Sequence, residues 1–343
     1  MNINYPTSAT VKNNISINNV PSRLDLRDHL GAVMVRCGIN RNKYRVNPGL
    51  YSVGSPDSSS DVFVSANYKL SFDHLRKNME GINGWILVLD TKGVNVWCAA
   101  GKGTFGTDEL NRRIRDVSLD SVVRHRRLIV PQLGATGVAA HKIREVSGFN
   151  VRFGPVRAAD IREFVESGYS ATRKMRKVTF SFKDRIKLIP NDFIYGKYYL
   201  LSALVVIFLL SSLYKGHISF RNSLDLGFPR MLNIFLAYFS GIVLTPALLP
   251  YLPFKMFSLK GLVVGALMTI ILVITGMTGS TVFEIIGWFL IIPGISSYMA
   301  MNFTGSSTFT SLSGVKKEMK AAVPFQIAGL ILGLALFIAG LFI

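Results

Sequence analysis

The sequence predicts an α/β domain with a parallel sheet, followed by an all-α transmembrane domain of about five helices. Three observations carry that reading. Short apolar runs alternate with amphipathic helical segments between Val62 and Glu166, the pattern of strands joined by crossover helices. From Tyr198 onward, long apolar stretches recur with short polar gaps. The charge divides at the same place: residues 1–197 carry 31 Lys+Arg against 17 Asp+Glu, and the remainder only 8 against 3. At 49% hydrophobic and 17% charged, the chain is too apolar for one soluble domain and too charged for a membrane bundle alone. The expected partition is a disordered segment at 1–20, a soluble domain at 21–170, a basic linker at 171–197 and the membrane domain at 198–343.

Residues 1–20 are rich in Asn, Ser and Thr, hence the expected disorder. Leu24–Met34 reads as a helix and Arg45–Gly54 as a short hairpin around Asn47-Pro48-Gly49. Ser55–Asp61 is a polar loop. Val62–Val64 reads as a strand, Ser71–Met79 as a helix capped by Ser71, and Trp85–Leu89 as a buried strand. Thr107 is expected to cap a helix that carries Leu110, Ile114 and Val117 on one face. Asp108 and Glu109 suit its positive end. Leu128–Val130 follows as a strand, then a helix Gly137–Val146 closed by Gly148. Val151–Phe153 and a helix Ala158–Glu166 closed by Gly168 complete the alternation.

The five expected spans are Tyr198–Tyr214, Met231–Phe254, Leu262–Met277, Val282–Met301 and Pro324–Ile343. The first, at 1.5 Å per residue, covers roughly 25 Å, close to the shortest crossing length. Lys255 and Lys260 fall in one short loop and Lys316, Lys317 and Lys320 in another, while the loop between the third and fourth spans is uncharged. With the basic stretch Arg173, Lys174, Arg176, Lys177, Lys183, Arg185, Lys187 and Lys197, this predicts a cytoplasmic N-terminal domain and an external C-terminus in the inner membrane. Lys215, Arg221 and Arg230, in the first external loop, dissent. No signal peptide precedes the soluble part, in keeping with a cytoplasmic site. Glu284, the one acidic residue within a span, lies near a helix end and reads as a solvated interfacial carboxylate. The membrane half reads as an anchor and docking platform.

A parallel sheet binds ligands at the carboxyl ends of its strands. Four loops meet there: Ser65–Lys69, Thr91–Gly106, Pro131–Thr136 and Gly154–Arg157. The longest holds Asn95-Val96-Trp97-Cys98-Ala99-Ala100-Gly101-Lys102-Gly103-Thr104. With two cysteines in 343 residues, neither a disulfide framework nor an iron–sulfur site is available. Cys98 sits among small residues that let a large flat group approach. Lys102 and nearby helix amides would favour its thiolate. Cys37 has no such setting and reads as structural. The five histidines fall singly, without metal-ligand spacing. Trp97 fits either packing or cofactor contact, and Tyr68 and Lys69 either ordinary loop positions or site positions.

Gly101-Lys102-Gly103-Thr104-Phe105-Gly106 matches G-x-G-x-x-G, but its first glycine is eleven residues past Asp90 and no acidic residue closes Leu128–Val130. Dinucleotide binding is therefore disfavoured. Nucleic acid is too, because no aromatic–basic interleaving accompanies the charge.

Asn95–Lys102, N-V-W-C-A-A-G-K, resembles without departure the signature of HgcA, the corrinoid-dependent mercury-methylating family. The likeness extends to Ala66–Asp73, Gly103–Leu110, Pro131-Gln132-Leu133-Gly134 and Gly154–Asp160, and covers about Leu24 to Phe180. The five-span tail fits too. The family's corrinoid domain is related to the corrinoid iron–sulfur proteins of acetyl-CoA-forming anaerobes.

The resemblance implies a Rossmann-like domain that binds a cobalamin-type corrinoid, with Cys98 as the lower axial ligand of cobalt. Asn95 to Gly103 would form a short cap helix and turn beneath the ring. Ser65, Asn67, Tyr68, Lys69, Gln132, Leu133, Gly134, Gly154, Pro155 and Val156 would line the cofactor with Asn95–Thr104. It also implies transfer of a methyl group to Hg(II), which as an electrophile needs a carbanion or radical equivalent. A thiolate opposite that methyl donates more charge than imidazole would. The implied partners are a ferredoxin-like protein with two [4Fe–4S] clusters, HgcB, and a methyl donor protein that uses methyltetrahydrofolate. The rival readings are a membrane-bound corrinoid methyl carrier with another native acceptor, and a non-catalytic corrinoid sensor or transporter.

Overall fold

The computed structural model describes residues 10–12, 15–303 and 312–343, so residues 1–9, 13 and 14 of the expected disordered segment lie outside the described residues. The chain forms two compact units, Met1–Val178 and Thr179–Ile343.

In the first unit, β1 (Thr10–Lys12), β2 (Ile15–Asn19), β3 (Gly49–Val53), β4 (Val62–Ala66), β5 (Gly84–Leu89), β6 (Arg127–Val130) and β7 (Asn150–Phe153) form one sheet in the order β1-β2-β3-β5-β4-β6-β7. The helices are α1 (Leu26–Arg36), α2 (Lys69–Lys77), α3 (Val96–Gly101), α4 (Thr107–Asp116), α5 (Leu119–Val122), α6 (Ala140–Ser147) and α7 (Ile161–Glu166). The four strands β5, β4, β6 and β7 are parallel, as predicted, with Phe63 opposite both Ile86 and Ile129. Strand order reverses at β4, whose neighbours β5 and β6 both follow it in sequence.

Alternation along β4 explains the two-sided core. Val62, Val64 and Ala66 pack with Leu110 and Ile114 of α4, whereas Phe63 packs with Phe72 and Leu75 of α2. All five residues of β4 and all six of β5 are buried, which suits strands covered on both faces.

Three expectations are corrected here. Arg45–Gly54 is not a hairpin. Gly49–Val53 is a single interior strand, antiparallel to β5 and parallel to β2, because Leu50 faces one core and Tyr51 and Val53 the other. The end of the supposedly disordered segment is strand β2, held by the buried side chains of Ile17 and Val20. The sheet is therefore mixed beyond β5. The expected caps also differ. Tyr68 precedes α2 without a side-chain cap, and Gly106 precedes α4. Thr107 Oγ1 instead accepts from the Ala139 amide at 2.9 Å, tying α4 to the chain before α6. Gly148 and Gly168, at φ +75° and +70°, do end their helices as predicted.

In the second unit, α8 (Phe182–Ile186) leads into α9 (Ile189–Leu210). A two-stranded ribbon follows, β8 (Leu213–Tyr214) with β9 (His217–Ile218), and then α10 (Phe220–Phe239). That helix runs through a π-helical turn, Ser240–Leu244, into α11 (Thr245–Leu248). The last three helices are α12 (Phe257–Ile274), α13 (Val282–Asn302) and α14 (Leu312–Gly340). Five helical stretches are long and apolar enough to cross a membrane: Phe182–Leu210, Phe220–Leu248, Phe257–Ile274, Val282–Asn302 and Gly314–Gly340. The first starts well before Tyr198, so part of the basic stretch is helical. Within it Arg185 is buried and donates to the Phe180 and Ala247 carbonyls.

Glu284 is corrected from a solvated to a buried carboxylate. It is 2% exposed and accepts from Arg230 Nη2 at 2.5 Å. Arg230 is not in a loop but inside α10, its guanidinium 5.1 Å from the Phe337 ring centre. Either charge alone would be costly in an apolar bundle; paired, each supplies the other's counter-ion.

Candidate functional site

The candidate site lies at the carboxyl end of the parallel strands, where β4, β5 and β6 release their chains beside the reversal in strand order. Past β5 the chain turns sharply, with Lys92 and Gly93 both left-handed at φ +58° and +76°. One side chain holds that turn. Asn67 Oδ1 accepts from the Thr91 amide at 3.1 Å, the Thr91 hydroxyl at 2.9 Å and the Gly93 amide at 2.9 Å. Its Nδ2 donates to Asp90 at 3.1 Å. Burial alone would raise the Asp90 carboxyl, but hydrogen bonds from Lys92 hold it below the usual carboxylate range. The Asp90 amide donates to Glu109 of α4 at 2.7 Å. The turn is thus fixed from both sides before α3 begins.

The six-residue helix α3 follows from its sequence. Asn95 is its N-cap, with Oδ1 accepting from the Cys98 amide at 2.9 Å. Val96, Ala99 and Ala100 fall on the buried face, so Trp97, Cys98 and Gly101 fall on the exposed one. Trp97 is 42% exposed and the Cys98 thiol is free. Beyond Lys102 the chain reverses at Gly103, φ +79°, and the Thr104 and Phe105 amides both return to the Ala99 carbonyl.

Glycines on the two sides of this helix do different work. A Cβ on Gly137 would meet the Phe105 carbonyl oxygen at 2.2 Å, and one on Gly134 the Phe105 ring at 2.5 Å. Those positions admit only glycine because Phe105, fully buried, locks α3 down. A Cβ on Gly101 or Gly103 would meet nothing within 4 Å. The space over the outer face of α3 is open.

Asn95→Ala should remove the cap and cost about 1 kcal/mol of local stability. Hydrogen exchange of the Cys98 and Ala99 amides, faster by roughly fivefold for that energy, checks it. Unchanged protection would mean that the cap does not hold the helix.

The other expected site residues divide. Gln132, Leu133 and Gly134 form a 3-10 turn after β6, and α3 packs on it. Gln132 Oε1 is buried there without a hydrogen-bond partner. Ser65 is buried at the end of β4, its hydroxyl donating to the Ala66 carbonyl at 3.3 Å. Gly154 is beside the end of β6, its amide donating to Val130 O at 2.9 Å; Pro155 is buried, and the Val156 amide bonds Met175 O at 2.8 Å.

Asn67, Tyr68 and Lys69 are not displayed to a ligand. Asn67 is 1% exposed and occupied by the turn it holds. Tyr68 packs with Val35 and Tyr44, and burial pushes its phenol up against the opposing pull of Arg41 and Arg36. Lys69 is wholly buried, ion-paired with Asp28 and, at 2.6 Å, with Asp73. Arg76 closes the quartet, pairing with Asp28 and, at 2.8 Å, with Asp73.

Within the glycine run, Gly101 ends α3, Gly103 turns the chain at φ +79° and Gly106 is the N-cap of α4. Among the described residues, no three His, Cys, Asp or Glu side chains gather as metal ligands. Asp90, Glu109 and Phe105 support the site, a role the sequence reading did not give them. The one available signal was a lone aromatic within a glycine-rich run.

Residues 30–165 match the family model of the CO dehydrogenase/acetyl-CoA synthase delta subunit. The gamma subunit of the acetyl-CoA decarbonylase/synthase complex of Methanopyrus kandleri is 30% identical over 128 residues, 37% of this chain and 27% of its own. That of Archaeoglobus fulgidus is 29% identical over 131 residues, covering 38% and 27%. The corrinoid/iron–sulfur protein large subunit of Moorella thermoacetica is 29% identical over 129 residues, covering 37% and 28%. The chain spans little more than a quarter of the length of these relatives. The α/β unit that carries Cys98 is thus similar to the CO dehydrogenase/acetyl-CoA synthase delta subunit family, and to one protein named for a corrinoid and an iron–sulfur cluster.

Proposed function

We propose that the first unit binds a cobalamin-type corrinoid with the Cys98 thiolate as lower axial ligand of cobalt, and that the chain methylates Hg(II) at a membrane. One observation carries the reading: a free thiol on the exposed face of a rigidly capped helix, at the carboxyl edge of the sheet, with nothing over Gly101 and Gly103. The residues fit the group. A soft sulfur donor is presented outward, a flat ring can approach the bare backbone, and the unpartnered Gln132 Oε1 offers an acceptor to an amide-bearing rim. The similarity to a named corrinoid protein supports the same cofactor.

When bound, the corrinoid supplies a cobalt-held methyl group for the electrophilic substrate Hg(II). The protein's own part is positional and electronic. Asn95 fixes the first turn of α3, so that the sulfur keeps one direction relative to the backbone. The Asn67-braced turn sets where that helix starts. Trp97, next to Cys98 and exposed, would shield an edge of the bound group from water. The chain is a membrane protein with its first unit in the cytoplasm. It works with a ferredoxin-like partner carrying two [4Fe–4S] clusters, HgcB, for electrons, and with a methyl donor protein using methyltetrahydrofolate.

The test is an absorption spectrum of the anaerobically purified full chain after incubation with cobalamin. Retention of corrin bands, shifted by Cys98→Ala and shifted differently by Cys98→His, is the expected result. Failure of the unaltered chain to retain corrin ends the proposal. A second reading keeps the cofactor and changes the acceptor. It is favoured by the cysteine count, since the only other thiol, Cys37, caps α1 and no dithiol is present to receive mercury. Product analysis with Hg(II) against thiol and arsenic acceptors separates the two.

A further inference from the structure

The membrane unit contains a cavity that an anchor does not need. It has a volume of about 520 Å³ and lies between α12, α13 and α14. That is within the roughly 300–1,000 Å³ of small-molecule sites. Leu262, Phe289 and Phe325 form apolar walls, and all three are also exposed on the outer surface, Phe325 at 81%. In a bilayer the cavity therefore opens sideways to the hydrocarbon.

The rest of the lining is mostly apolar, and three polar side chains, Ser258, Ser297 and Gln326, interrupt it. Ser258 stands on the first turn of α12, 2% exposed, and its hydroxyl has no hydrogen-bond partner. Gln326 of α14, 7% exposed, donates Nε2 to Ser297 at 2.8 Å and leaves Oε1 buried and unpartnered. Ser258 and Gln326 both line the cavity, so a hydroxyl and an amide that lack full hydrogen bonding border it.

The charge beside that lining has one sign. Lys316, Lys317 and Lys320 are exposed on α14, within two turns of the cavity-lining Ala321, and Lys255 is exposed next to the cavity-lining Met256. The acidic residue among them does not offset this. Glu318 is 6% exposed and turned inward, accepting from the Ser258 amide at 2.6 Å.

We infer that this cavity binds one anionic phospholipid: an acyl chain between Leu262, Phe289 and Phe325, an ester oxygen accepting from the Ser258 hydroxyl or from Gln326 Nε2, and the phosphate among the lysines. The order of the groups matches the lipid: apolar tail, hydrogen-bonding middle, negative end.

Native mass spectrometry of the detergent-solubilised full chain, titrated with phosphatidylglycerol and separately with phosphatidylcholine, tests the assignment. The unaltered chain should hold one phosphatidylglycerol at least fivefold more tightly than phosphatidylcholine. Gly329→Leu fills the cavity from a position whose Cβ would meet nothing within 4 Å, and leucine is the better helix former. It should lower binding of both lipids at least tenfold. Gln326→Leu, which keeps the volume, should lower both several-fold. Lys316→Gln, Lys317→Gln and Lys320→Gln together should keep the lipid and abolish the preference. Equal binding of the two lipids by the unaltered chain would overturn the inference. So would full binding by Gly329→Leu and Gln326→Leu, or a dimer that only the leucine variants disrupt.

Discussion

Cys98→Ala should reduce methylmercury formation by at least about a hundredfold, more than is usual for loss of a group that only orients a metal ligand. The side chain is exposed and its thiol is free, and alanine keeps both backbone hydrogen bonds, so the variant should keep its stability to within about 0.5 kcal/mol. That separation makes the result interpretable. Isotopically labelled Hg(II) supplied to the purified chain with its reducing partner and methyl source gives the rate, and thermal unfolding gives the control. Cys98→His offers a ligand of lower charge donation at the same place and should retain cobalt while losing most of the activity. An alanine variant with full activity would remove the sulfur from the mechanism altogether.

The second large effect is structural. Asp28, Lys69, Asp73 and Arg76 form a neutral quartet, each at most 6% exposed, joining α1 to α2. Arg76 also donates to the Pro21 carbonyl at 2.7 Å and the Arg23 carbonyl at 3.1 Å. Removing one cation leaves two carboxylates sharing one cation in the core, a net uncompensated charge. Lys69→Ala or Arg76→Ala should each cost about 3–5 kcal/mol. Hydrogen exchange of the α1 and α2 amides in the full chain reads that loss locally.

The same quartet sets an acid limit. Burial alone would raise the Asp28 carboxyl, but hydrogen bonds from Lys69 and the Asp25 amide, and the charges of Lys69 and Arg76, bring it down to about 2. The unfolded carboxyl titrates near 3.9, so this stabilisation, on the order of 2 kcal/mol, is complete above about pH 4. It is lost as the pH falls from there towards 2. Exchange that stayed flat over that interval would mean that the quartet contributes nothing to holding α1.

Periodicity revealed the parallel core because β4, β5 and β6 are short apolar runs bounded by polar turns, a pattern fixed by burial on both faces. It missed β2, which lies between β1 and β3, because only Ile17 and Val20 mark it as buried, too few to stand out in a polar stretch. The position of Cys98 was legible, since small residues and a capping Asn read locally. The roles of Asn67 and Lys69 were not. Both follow closely on the carboxyl end of β4, where polar side chains ordinarily face a ligand, and only three-dimensional partners turned them inward. Glu284 was misjudged for the same reason, as Arg230 lies 54 residues away on a different helix.

The brace at Asn67 carries a consequence for engineering. The octapeptide Asn95–Lys102 contains its own cap, yet its starting point is dictated by an oxygen from the neighbouring strand and by an aromatic plug beyond its end. Transplanted into an unrelated scaffold, those eight residues would bring a thiol without an address. A portable version of this chemistry must carry the β4 extension through Asn67 and the stretch from Phe105 to Gly137 as one cassette.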